Sequence, residues 1–294
     1  MFNELVDKVI IESSSSTFVT ASVHLKDYIF NLPDIKPLVM NIGIIPERIS
    51  RDSTEEKVFA KASDIVFARA LYDMGLTSNV LEARGNAADV SAQSTITGST
   101  MVGDAKAFRM SRTAKNQKDF KVEALDQWRN NSDYAVLAAP YFQYPTRQSQ
   151  IYSQALSRNV LLFSWEHILL LLNKGFRESS KTVLDPIWNW SNEYANKVLL
   201  PDRNRNFLKD FNKYFLTFFG YSANDLKSTL KEEIDVTQER ANLEKKFWID
   251  QTKRIQSLSR EDAIASLLEQ TGIDGRLGTI DRFIGGLNED RYID

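Results

Sequence analysis

The sequence predicts an α/β fold in which a mixed central sheet is flanked by helices and followed by a helical C-terminal part. Three observations lead there. Tyr134 to Ala139 and Val160 to Trp165 are short, nearly all-apolar runs, suited to strands buried on both faces. Helical patterns separate and follow them, at about Thr113 to Asn130, Gln148 to Ser157 and Glu166 to Asn173. From Asn204 onwards only helix patterns occur, including a long charged stretch from about Leu226 to Ser257.

Residues 1 to about 33 read as mostly helical, with punctuation at Pro33 and Pro37. Asp52-Ser53-Thr54 offers a helix N-cap, and Glu55 and Glu56 then sit favourably in the first turn. Val58, Phe59, Ala62, Ile65, Val66 and Ala70 repeat at helical spacing to about Leu76. The texture changes after Asn79. Asp89 to Gln93 and Thr100 to Phe108 read as a hairpin around Ser94 to Ser99. The middle therefore runs strand, strand, helix, strand, helix, strand, helix, which is a sheet with helices packed on it. No repeat and no long Pro/Gly/Ser linker divides the chain. Residues 1–294 are expected to form one domain, with a core at about 50–175 and a helical part at about 204–294. That helical part either packs on the sheet or serves as a dimerisation arm.

Composition narrows the chemistry. The 294 residues include no cysteine and only two histidines, His24 and His167. That excludes disulfide frameworks, Cys-ligated zinc, iron–sulfur clusters and thiol catalysis. The N-terminus carries Glu4 and Asp7 and lacks the basic and apolar regions of a signal peptide. No apolar run approaches the roughly 20 residues of a membrane span. A cytoplasmic protein without a membrane partner is expected. The net charge of −2 counts, at first sight, against nucleic acid.

The informative segment is Asp89 to Lys121. If the hairpin is symmetric between Ile96 and Thr97, Asp89 lies opposite Asp104, with the two side chains on one face. Lys106 shares that face because strand side chains alternate. A one-residue slip would send Asp104 and Lys106 to the other side. Two converging carboxylates can share Mg²⁺, a hard cation often held by one or two acids plus a substrate phosphate. An adjacent lysine can position or deprotonate a water, or stabilise the extra negative charge on phosphorus. An acid followed after about fifteen residues by Asp-Ala-Lys fits the loose PD-(D/E)XK nuclease signature, with Ala88 where its proline would stand. The spacing alone also suits solvated charges on an exposed hairpin.

The run that follows strengthens the nuclease reading. Between residues 104 and 121 stand six bases (Lys106, Arg109, Arg112, Lys115, Lys118, Lys121) and two acids (Asp104, Asp119). This segment carries +4, so the rest of the chain carries −6. A helix starting near Thr113 would present Lys115, Asn116, Lys118, Asp119 and Lys121 opposite an apolar face of Phe120, Ala124 and Trp128. Its N-terminus favours phosphate. Asn, Lys and Asp side chains can read adenine, guanine and cytosine edges in the major groove.

At these residues the sequence resembles the HindIII family of type II restriction endonucleases, within the PD-(D/E)XK superfamily. The resemblance is carried by SRTAKNQKDFKVEAL (Ser111 to Leu125), RGNAADV (Arg84 to Val90) and DYAVLAAPYFQYP (Asp133 to Pro145). NVLLFSWEH (Asn159 to His167) and DFNKYF (Asp210 to Phe215) add to it. It extends from about Ile44 to the end, and its differences are those of a close homologue or isoschizomer. It implies a restriction-endonuclease-like sheet and a homodimer that cuts double-stranded DNA with Mg²⁺, two ions per active site. The implied target is AAGCTT, cut after the first A to leave 5′ overhangs. A cognate methyltransferase would belong to the same system without being a physical partner. Asp104 and Lys106 match the catalytic acid and lysine, and Asp89, Asp104 and Ala105 are the implied metal-binding positions. Glu82 is an alternative first acid; Asp89 ranks higher because only it lies opposite Asp104. Glu56 either supports the site from the preceding helix or simply favours that helix's N-terminus. The implied DNA contacts are Arg84, Gly85, Asn86, Ser111, Arg112, Lys115, Asn116, Lys118, Asp119 and Lys121. Chemical matching gives Asn116 to adenine, Lys118 or Lys121 to guanine and Asp119 to cytosine.

Two other functions stay in view: a repair or recombination nuclease that reads DNA structure, and a DNA-binding protein without catalysis. His167 is expected to cap or pack rather than catalyse. Gly272, Gly275 and Gly278 make no phosphate loop, because no Gly-Lys-Ser/Thr follows.

Overall fold

The computed structural model describes residues 1–81, 88–111, 117–145, 149–197, 200–271 and 277–278. The chain divides into two compact units, residues 1–242 and 243–294. The first contains the sheet and the candidate site.

Four helices lead in: α1 (Phe2–Ser15), α2 (Phe18–Phe30), α3 (Lys36–Ile42) and α4 (Thr54–Asp73). Three strands follow, β1 (Leu76–Val80), β2 (Val90–Ser94) and β3 (Thr100–Ala105). Then come α5 (Gln117–Phe120), α6 (Val122–Trp128), β4 (Tyr134–Ala139), α7 (Gln150–Ser157), β5 (Val160–Ser164) and α8 (Trp165–Asn173). The remaining helices are α9 (Asp185–Trp188), α10 (Trp190–Lys197), α11 (Leu200–Phe219), α12 (Ala223–Gln256) and α13 (Arg260–Thr271). Among the described residues, no helix is long and apolar enough to cross a membrane.

The sheet is mixed, in the order β1-β2-β3-β4-β5. The first three strands are antiparallel, and β4 and β5 continue parallel to β3. This is the expected α/β arrangement. β4 and β5 are fully or almost fully buried, as their apolar runs require. Strand β1 was not anticipated. Its sequence, LTSNV, is mostly polar and short, and only Leu76 and Ser78 turn inwards.

Helix α4 starts as its sequence dictates: Ser53 Oγ accepts from the Glu56 N–H, and Glu55 and Glu56 lie in the first turn. The helix is then buried nearly all round from Val58 to Leu71. It packs on β1, β2 and β3, with α1 and α2 against it. Gly103 in β3 makes the fit possible: a Cβ there would stand 2.5 Å from Cε1 of Phe67 on α4.

The stretch after the hairpin departs from expectation. In place of one helix over 113–130, the described part is two short helices, α5 and α6, separated at Lys121. Lys121 has φ +51, in the left-handed region, so the helical hydrogen-bond pattern cannot run through it.

Candidate active site

The β2–β3 register has the predicted symmetry, running from Gln93↔Thr100 to Val90↔Gly103. The ladder stops there. The Asp89 N–H donates to the Gly103 carbonyl at 3.2 Å, one residue short of the pairing that would set Asp89 opposite Asp104. The two carboxylates still converge, and α4 adds a third. One oxygen from each of Asp64, Asp89 and Asp104 lies within 4.8 Å of the others.

Each acid is held by a different element. Asp104 is 3% exposed near the end of β3, and the Lys106 ammonium, two residues on, donates to its Oδ2. That is the alternation of strand side chains at work. Lys106 is itself fixed by its N–H, which donates to the Ala138 carbonyl of β4 at 2.7 Å. Asp64 accepts the Ala105 N–H at 3.0 Å, which ties α4 to the strand. Asp89, about one-third exposed, accepts from Lys61 Nζ at 3.0 Å. Lys61 lies one turn before Asp64 on α4, so both face the hairpin.

Burial penalises this charge density. It pushes the Asp64 carboxyl well above the usual carboxylate range; Asp89 and Asp104 add to the rise, while Lys61 and the Ala105 N–H oppose it. Burial raises Asp104 too. Lys106 opposes this by charge and hydrogen bond, Asp89 adds to it, and Lys121 lowers it. A divalent cation would relieve that repulsion. The donor set is all carboxylate oxygen, as Mg²⁺ prefers. Three carboxylate oxygens this close together are a donor set that would hold a divalent cation.

Sequence reasoning missed Asp64 and Lys61. A signal existed: Lys61, Asp64 and Arg69 stand within the mostly apolar stretch from Val58 to Leu71, and buried charges need partners.

The other expected residues are placed as follows. Glu56 is not in the triad. Its Oε1 accepts twice from the Arg109 guanidinium, at 3.0 and 2.8 Å, and its Oε2 accepts the Asp52 N–H at 2.7 Å. Arg109 is buried and also donates to the Pro46 and Ser50 carbonyls, so its charge serves the fold. Ser111 is exposed; its N–H donates to Glu47 Oε1 and its Oγ accepts from Arg51. Asp119 is half-buried, and Lys121 is exposed yet close enough to act on Asp104. Ala105 contributes its backbone N–H to Asp64. Glu82, Arg84, Gly85, Asn86, Arg112, Lys115 and Asn116 lie outside the described residues. For Lys118 only the backbone, within α5, is described.

Residues 33–283 match the family model described as HindIII restriction endonuclease. The chain is also 46% identical over 260 residues to the type II restriction enzyme HindIII of Haemophilus influenzae, covering 88% of this chain and 87% of that one.

Proposed function

The chain belongs to the HindIII restriction endonuclease family, and from that premise we propose that it hydrolyses both strands of double-stranded DNA at a palindromic site, using Mg²⁺. The carrying observation is the convergence of Asp64, Asp89 and Asp104 beside Lys106. The proposed target is AAGCTT, cut after the first A to leave 5′ overhangs. This rests on the matches around the hairpin and on the 46% identity to the HindIII enzyme.

In this reading Asp89, Asp104 and Ala105 would hold Mg²⁺, two ions per active site, with Asp64 as a further acid that the Ala105 N–H fixes in place. The bound cation would lower the pKa of its water and neutralise charge developing on phosphorus. Asp104 places the Lys106 ammonium at the metal-binding oxygens, where it orients the attacking water and stabilises negative charge as the P–O bond breaks. The run to Lys121 supplies the base contacts, with Asn116 suited to adenine, Lys118 or Lys121 to guanine and Asp119 to cytosine. Arg84, Gly85, Asn86, Ser111, Arg112 and Lys115 would line the DNA. Glu56 would act through Arg109 and the start of α4. Glu82 remains the alternative first acid.

A palindrome read symmetrically calls for two copies of the chain. The exposed Leu243, Trp248, Ile249, Leu267 and Leu268 of the second unit favour association. The enzyme would act in the cytoplasm, and a methyltransferase of the same system, not bound to it, would protect the same sites.

Asp104→Asn and Lys106→Ala test the assignment. Each should lower the cleavage rate on the order of a thousandfold while the protein still retards an AAGCTT duplex on a gel. Near-normal cutting by both variants would move the catalytic centre elsewhere. Binding without cutting by the wild type at every Mg²⁺ concentration would indicate a DNA-binding protein. Cutting at junctions irrespective of sequence would indicate a structure-specific nuclease.

A further inference from the structure

Lys61 is a second ammonium in the site, and the catalytic scheme has no step for it. Its side chain is 8% exposed, an uncommon position for lysine. Nζ donates to Asp89 Oδ1 at 3.0 Å and to the Leu81 carbonyl at 2.8 Å. Leu81 in turn donates its N–H to the Asp89 carbonyl at 2.8 Å. Lys61 thus binds both Leu81 and Asp89 and sets its charge against one of the three acids.

The charges suggest what this does. With all groups ionised, three carboxylates face two paired ammonium groups, leaving one negative charge. The first divalent ion to bind would turn that into one positive charge, which the scissile phosphate would then neutralise, before a second ion enters. Without Lys61 the same ion would already neutralise the acids, and no phosphate would be needed. A unit charge held this close to a metal-binding acid, in a largely buried site, is only partly screened by solvent.

We propose that Lys61 is a positioning residue that acts as an internal counter-ion on Asp89, holding back the divalent cation until a DNA phosphate is present. The inference rests on the metal-centre reading above. It explains why a buried lysine stands against a metal-binding acid. It also makes metal and DNA affinity reciprocal, each raising the other by the same factor.

The test measures Mn²⁺ affinity of the full-length protein by electron paramagnetic resonance, with and without an AAGCTT duplex whose scissile linkage is a charged, non-hydrolysable methylenephosphonate. Wild type should bind Mn²⁺ weakly alone and at least about tenfold more tightly with DNA. Lys61→Gln keeps a donor for the Leu81 carbonyl but removes the charge. It should bind Mn²⁺ at least about tenfold more tightly than wild type without DNA, and DNA should then add little. Lys61→Arg keeps the charge and should behave as wild type. Lys61→Met, read in the same way, replaces Lys61→Gln if that variant does not fold. A merely structural lysine predicts the opposite sign, because a loosened Asp89 binds metal less well. Unchanged or weaker Mn²⁺ binding by the uncharged variants therefore overturns the proposal and leaves the metal centre standing. Absence of Mn²⁺ binding by wild type even with DNA would take both down.

Discussion

At Asp64, Asp104 and His167 burial acts on charge in opposite senses, raising the two carboxyls and lowering the imidazole. His167 is fully buried, its ring stacked on Phe163 at 5.6 Å. Ser164 Oγ accepts the His167 N–H, and its hydroxyl donates to Nδ1 at 2.7 Å. Nε2 donates to Asn212 Oδ1 at 2.9 Å. Both ring nitrogens are thus used by the neutral form, and burial lowers the pKa to about 4. The expected role in capping and packing is what the side chain has. The neutral imidazole contributes fully above the ordinary pKa of 6.5, and that contribution is lost as pH falls towards 4. The stability difference between wild type and His167→Gln should therefore shrink by up to about 3 kcal/mol from pH 7 to pH 4. Urea denaturation at the two pH values measures it, and an imidazole titrating near 6.5 by NMR would contradict it.

Among the elements, α4 and the β2–β3 hairpin make the site together. The hairpin was legible: its strands, turn and symmetry follow from alternation and from the polar Ser94 to Ser99 turn. The approach of Asp89, Asp104 and Lys106 follows with it. The helical contribution was marked only by charges set in a buried run, Lys61, Asp64 and Arg69, and their order along the helix does not say which of them meets the hairpin. The break at Lys121 was hidden for another reason: only a tertiary constraint puts a lysine in the left-handed region. Gly103 tests the helix–strand fit. Gly103→Ala would thrust a methyl against the buried Phe67 ring, one turn from Asp64, and the ring is closed in by Trp165 at 6.1 Å. The variant should lose about 1–3 kcal/mol of stability. It should also need more Mg²⁺ for half-maximal cutting. Unchanged denaturation and metal dependence would mean that α4 does not set the site.

For the whole molecule, the net charge of −2 conceals a segment of +4 in a chain that is otherwise −6. The structure reduces that surplus by one, since buried Arg109 is paired with Glu56 from outside the segment; the Lys106–Asp104 pair is already counted in it. Non-specific DNA affinity should then be modest and steeply salt-dependent. Two-fold reading of a palindrome predicts a dimer. Sedimentation with a single AAGCTT duplex should give twice the 33.6 kDa chain mass plus one duplex. One chain per duplex would contradict symmetric cutting.

Site-specific, metal-dependent cutting is read by digesting a plasmid of known sequence and sequencing the fragment ends. Discrete fragments should appear with Mg²⁺ and none with EDTA, every end lying in AAGCTT with a 5′ overhang from a cut after the first A. Intact plasmid across a range of Mg²⁺ concentrations with folded protein, or ends scattered without a common sequence, would contradict it.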